Sequence, residues 1–166
     1  MPTPLKDLYS PSFVKEFMEV ATPIIPKFDA KQFTKQVFDK TWKSRELKDR
    51  MAHLAVCLAA QLPQSFPKTA KLICKLFKGL ETAGINGKGL EYMFLPAVIE
   101  NEGLDHPEIA LEAMEQFTHY SSCEFAIRPF FLKYPEILHA KILEWSVHPN
   151  EHVRRLASEG SRPRLP

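Results

Sequence analysis

The chain has 166 residues, 45% hydrophobic and 25% charged, with a formal net charge of +2, the composition of an ordinary globular protein long enough to bury a core. Its apolar runs are too short to cross a bilayer, and its first residues, Met1-Pro2-Thr3-Pro4-Leu5-Lys6-Asp7, lack the basic and apolar pattern of a signal peptide. Three scattered cysteines, Cys57, Cys74 and Cys123, form no CxxC pair and point to a reducing, cytoplasmic setting.

The hydrophobic period is helical nearly throughout. It predicts helices over 12–22, 29–43, 45–62, 67–83, 90–102, 107–120, 122–133, 135–147 and 149–159. The second carries Lys31 and Lys35, which with Lys27 form a row at four-residue spacing. The fourth carries Lys68, Lys71, Lys75 and Lys78, whose 3-4-3 spacing puts four ammonium groups on one face. After it, Asn86-Gly87 reads as a loop between helices, because its flanks have no strand pattern. Charge then changes sign: Lys27 to Arg50 holds eight Lys/Arg against four Asp/Glu, whereas Gly89 to Ile127 holds eight Asp/Glu and no Lys or Arg. Such segregation implies a polarised surface.

The seventh predicted helix opens with Ser121-Ser122-Cys123-Glu124, the pattern of a capping box, and Arg128 lies four residues past the acid. The aromatic residues Phe125, Phe130, Phe131 and Trp145 read as core rather than as base-stacking platforms. His148 and His152 have metal-ligand spacing, as do His119 and Cys123, but no HExxH motif or cysteine cluster accompanies them, so no metal and no cofactor is expected. In the last helix Glu159 stands among Arg154, Arg155, Arg162 and Arg164, near a helix end where a glutamate is mildly unfavourable. Gly160 reads as the residue just past that helix, and Pro163 cannot continue it.

Prolines suggest a repeat. Pro26, Pro67, Pro107 and Pro149 recur every 40 to 42 residues near predicted helix starts. A period of about 40 residues built from helices is the signature of HEAT or armadillo arrays, although prolines are common at helix starts in any helical domain. The fold class expected is therefore all-α, a helical-repeat solenoid with a concave face.

Two motifs carry a family resemblance. His152-Val153-Arg154-Arg155-Leu156-Ala157-Ser158-Glu159-Gly160-Ser161-Arg162-Pro163-Arg164-Leu165-Pro166 resembles a segment of the AlkC-type bacterial DNA glycosylases, and Ser122-Cys123-Glu124-Phe125-Ala126-Ile127-Arg128-Pro129-Phe130-Phe131 is similar to that family's other acidic motif. The resemblance implies a HEAT-like domain spanning 1–166 as the N-terminal portion of the family's domain, since family members continue past this point with a tryptophan and further helices. It also implies excision of cationic alkylated purines such as 3-methyladenine from double-stranded DNA, with Glu124 and Glu159 as the catalytic acids. A cationic purine is already an activated leaving group, so fixed carboxylates need only stabilise the developing sugar cation and orient a water. Lys68, Lys71, Lys75, Lys78, Arg128, Arg154, Arg155, Arg162 and Arg164 are the expected DNA-binding residues, because arginine and lysine rows suit phosphate. Members of the wider HEAT-repeat group work without swinging the base into a deep pocket, so no snug nucleobase pocket is expected. No membrane and no obligate protein partner is expected, and this chain alone is expected to be a poor enzyme, loosely held beyond about residue 148. The alternative is a non-catalytic helical-repeat module that binds duplex DNA or a protein segment.

Overall fold

The computed structural model describes residues 4–85 and 89–162. Nine α-helices and three 3-10 turns, with no strand, are the regular elements of the described residues. The helices are α1 (Pro11–Ile24), α2 (Ala30–Val37), α3 (Leu47–Ala59), α4 (Phe66–Thr82), α5 (Phe94–Gly103), α6 (Pro107–Phe117), α7 (Arg128–Lys133), α8 (Pro135–Ser146) and α9 (Glu151–Gly160). Asn86-Gly87, read as a loop from sequence, and the tail from 163 lie outside the described residues.

Local chemistry sets these boundaries. Ser10, Asp29 and Asn150 cap α1, α2 and α9 through their side-chain oxygens, and Glu46 with Asp49 forms a capping box on α3. Helix α2 stops at Val37 instead of running to 43. Asp39 ends it: its carboxylate accepts from the Thr41 main-chain N–H at 2.9 Å and takes a two-pronged contact from Arg45 at 2.6 and 2.9 Å. That contact holds the Asp39 carboxyl far below its ordinary range, the Arg45 hydrogen bond being the largest cause. Residues 122–127 also depart from the expected helix. They form turns, and only Arg128–Lys133 is helical.

Helix α1 packs on α4 and α4 on α6, forming one row, while α3 packs on α5 behind it. Helix α5 packs against α6 as well as α3, closing the two layers. In α4 the inward residues Phe66, Thr69, Ala70, Ile73, Leu76, Phe77 and Leu80 recur at three- and four-residue spacing, which leaves the lysines outside. Phe77 stacks on Phe117 of α6 at 5.0 Å between ring centres. Glu115 of α6 extends the row to α8 by accepting from the buried Trp145 indole N–H at 2.6 Å and pairing with Lys141 at 3.0 Å.

This is the helical-repeat architecture expected, but the proline period follows it only in part. Pro67 and Pro107 open α4 and α6, neighbours in one row. Pro149 precedes α9, which packs on α8, while α8 itself begins at Pro135. The spacing therefore marks helix starts generally and not one position of a repeat.

Candidate active site

Helix α9 is two-faced. Val153, Leu156, Ala157 and Gly160 are buried against the array. His152, Arg155 and Glu159 are spaced three and four residues apart, so they line up on the other side at about one-turn intervals. Four residues at 1.5 Å rise put the Arg155 and Glu159 backbones about 6 Å apart along the axis. Asn150 fixes the start of the helix by accepting from the His152 main-chain N–H at 2.8 Å.

The far end of α9 is fixed by close approach. Gly160 is the last helical residue, whereas the sequence led us to expect it just past the helix. Its reason is space: a Cβ there would stand 2.9 Å from Cγ2 of Ile127. Helix α9 is thus pressed onto the turn that carries Glu124, and Cys123, Ala126 and Ile127 root that turn in the core.

Glu124 reaches out of this turn to Arg155 at 2.9 Å, its side chain 13% exposed against 63% for the arginine. The capping box does not form. The Ser121 hydroxyl is buried without a partner among the described residues, and the Glu124 main-chain N–H donates to Ser122 Oγ at 3.4 Å. The pairing of Glu124 with Arg128 does not form either, because Arg128 donates to the Arg162 carbonyl at 2.9 Å. Glu159 pairs with Arg162 at 3.0 Å, with side-chain exposures of 22% and 53%. Arg154 turns back to the carbonyls of His148 and Pro149, at 2.7 and 2.9 Å. The arginines therefore divide among several partners instead of crowding around Glu159, and Arg164 lies outside the described residues.

A cavity of about 190 Å3 opens beside the Glu124–Arg155 pair. His119, Tyr120, Ser122 and His152 share its wall. These four residues were not singled out as site residues from the sequence. For His152 the signal was present in its helical register with Arg155 and Glu159. The others sit in turns whose placement depends on tertiary packing.

The four α4 lysines are exposed and make no ion pair among the described residues. Lys71, Lys75 and Lys78 line a groove of about 440 Å3 between α4 and α6, with Ile109, Glu112 and Gln116 on the other side. The groove leads toward the cavity end of α6, where Tyr120 stacks on Phe77 and donates to Glu81 at 3.1 Å. The second lysine row is interrupted. Lys27 sits in a turn with φ of 60° ahead of α2, leaving only Lys31 and Lys35 on the helix.

Among the described residues no three His, Cys, Asp or Glu side chains are arranged to hold a metal ion. His148 and His152 do not converge: His148 accepts the Asn150 N–H at its Nδ1 and turns Nε2 toward Glu115. Burial pushes the Cys57 thiol up to about 11, far from a nucleophile's range. Phe130 and Trp145 are core as expected, whereas Phe125 is partly exposed under the Lys48 ammonium. No helix among the described residues is long and apolar enough to cross a membrane.

No protein-family model matches the chain. Individual proteins do. The uncharacterized protein YhaZ of Bacillus subtilis (strain 168) is 38% identical over 162 residues, covering 98% of this chain and 43% of its own. The Pseudomonas fluorescens alkylpurine DNA glycosylase AlkC, solved bound to DNA containing an abasic site analog, superposes with a TM-score of 0.89 at 35% identity. That match covers all of this chain and 44% of the AlkC chain, so the chain spans less than half the length of either relative.

Proposed function

From the premise that this chain is of the AlkC type in sequence and fold, we propose that it serves DNA alkylation repair as a glycosylase. The reaction is hydrolytic excision of cationic alkylated purines, 3-methyladenine above all, from duplex DNA in the cytoplasm. The observation that carries this reading is the convergence of Glu124 and the Arg155–Glu159 face of α9 on one surface, with arginines beside both acids.

The alkylated purine departs with the electrons of the glycosidic bond and becomes neutral. Positive charge then develops on the sugar. A carboxylate fixed nearby stabilises it without reorganising, which is where such groups act most strongly. Glu124, little exposed and rooted by Cys123 and Ile127, is suited to this role. Glu159 supplies a second negative charge along α9. Acids alone would repel a duplex, and Arg128, Arg154, Arg155 and Arg162 offset that repulsion through phosphate contacts. The exposed row Lys68, Lys71, Lys75 and Lys78 extends the cationic surface along α4. The cavity at Glu124 is small, about 190 Å3, in keeping with chemistry on a base that remains near the duplex.

Duplex DNA methylated to contain 3-methyladenine tests the proposal. Release of the free base with matching formation of abasic sites is expected, and an intact glycosidic bond would refute the activity. One observation favours a second reading, a duplex-binding module without catalysis: both acids are already paired with arginines in the free protein. Tight duplex binding without base release would support it.

A further inference from the structure

We propose that His152 is a third catalytic group of this site, receiving the proton of the attacking water. The inference rests on the glycosylase reading and deepens it. Its starting point is which groups around the cavity still have a basic lone pair to offer. Glu124 is engaged by Arg155 at 2.9 Å, so part of its charge is committed. The Tyr120 hydroxyl is committed to Glu81 at 3.1 Å. Ser122 Oγ accepts from the Glu124 N–H, and a serine hydroxyl is no base near neutral pH. Arg155 has no lone pair to give. Two imidazoles line the cavity: the His119 ring lies against Tyr120 at 3.8 Å between ring centres, whereas the His152 ring has no hydrogen-bond partner among the described residues.

Its placement is fixed without using the ring. Asn150 holds the His152 main-chain N–H at 2.8 Å, and Val153 and Leu156 bury the next part of α9. The imidazole is thus delivered to the cavity by a rigid element and is free to act there. A cavity of about 190 Å3 has room for several ordered waters. Ser121, whose buried hydroxyl lacks a partner among the described residues, stands in the same wall, and a group of this kind commonly holds one of them.

The step balances. The electron pair of the bond between C1′ and the purine nitrogen leaves with the purine, neutralising its positive charge. The water oxygen forms the new bond to C1′. One water proton passes to the free ring nitrogen of His152, and the imidazolium later releases it to solvent. Glu124 keeps its charge and stabilises the sugar cation, so the two residues have separate tasks.

The titratable and charged groups that share the cavity with this ring are His119, Tyr120, Glu124 and Arg155. Single-turnover base release should therefore be followed against pH in the full chain for the unmodified protein, His152→Ala, His119→Gln and Glu124→Gln. A base must be unprotonated, so the unmodified rate should rise as the pH is raised from the acid side. His152→Ala should be slower on the order of a hundredfold or more, lose that rise, and recover rate when imidazole is added, with duplex affinity and melting temperature unchanged. His119→Gln should keep the rise. If His152→Ala keeps the unmodified rate and profile while Glu124→Gln is impaired, the inference is wrong and the glycosylase reading stands. If the rise disappears in His119→Gln instead, the proton acceptor is misassigned and the inference is also wrong. Absence of base release by the unmodified protein overturns both.

Discussion

Glu124 shows how a residue read in isolation differs from the same residue in its fold. Ser121 and Glu124 have capping-box spacing, yet no helix starts there, and the acid meets Arg155, some thirty residues along the chain. With the cap removed as an explanation, substitution becomes more decisive. Glu124→Gln and Glu159→Gln keep shape and remove charge. Each is expected to lower single-turnover base release on the order of a hundredfold while leaving duplex binding and thermal stability nearly unchanged. Normal rates in both variants would leave the carboxylates a purely structural role. Gly160 gives a second prediction at this scale. Gly160→Val drives a side chain into Ile127, and overpacking of this kind costs about 1–3 kcal/mol. Because the same contact positions Glu124 against α9, both melting temperature and base release should fall, and an unaffected melt would show that the contact is easily relaxed.

At the level of elements, the two-faced pattern of α4 was legible because its apolar residues recur at helical spacing over four turns. Helices α6 and α8 were legible for the same reason, with prolines marking their starts. The stop of α2 was not legible, because Asp39 ends it through contacts to Thr41 and Arg45 that no periodicity encodes. Two expectations follow from the elements. Helix α6 is clasped to α8 by Glu115, whose carboxyl is desolvated yet still held below its ordinary range by the Trp145 and Lys141 hydrogen bonds. Its folded pKa is depressed, so its contribution is present above the unfolded carboxylate pKa and is lost as pH falls through the folded value. Glu115→Ala strands the buried Trp145 N–H and should cost about 1–3 kcal/mol. Thermal melts at neutral pH should show this loss, and the difference from the unmodified protein should shrink in acid. The α4 lysines make the other expectation. Lys71→Ala with Lys75→Ala should weaken duplex binding across sequences and flatten its salt dependence, since each phosphate contact releases counterions. An unchanged salt slope would reduce the row to a solvated face.

Across the whole molecule, the all-helical array and both acidic motifs could be read from the chain, while the division of the arginines among their partners could not. Pairing depends on which turn the packed core brings under α9, and that is decided by Cys123, Ile127 and Gly160 together. The same packing bears on the segment beyond residue 148, whose Val153, Leu156 and Ala157 were expected to pack onto 135–147 while the segment stayed loosely held. Val153, Leu156 and Ala157 are buried and Asn150 caps the helix, so α9 should show slow amide exchange through its middle. Its polar face and the cavity beside it remain open to a ligand. Hydrogen exchange with and without a duplex containing an abasic site therefore tests the location of the site most directly. The account predicts new protection at 118–124 and 151–162, with Glu124→Gln binding in the same place. Protection confined to other surfaces, or none at these two segments at saturating duplex, would contradict it.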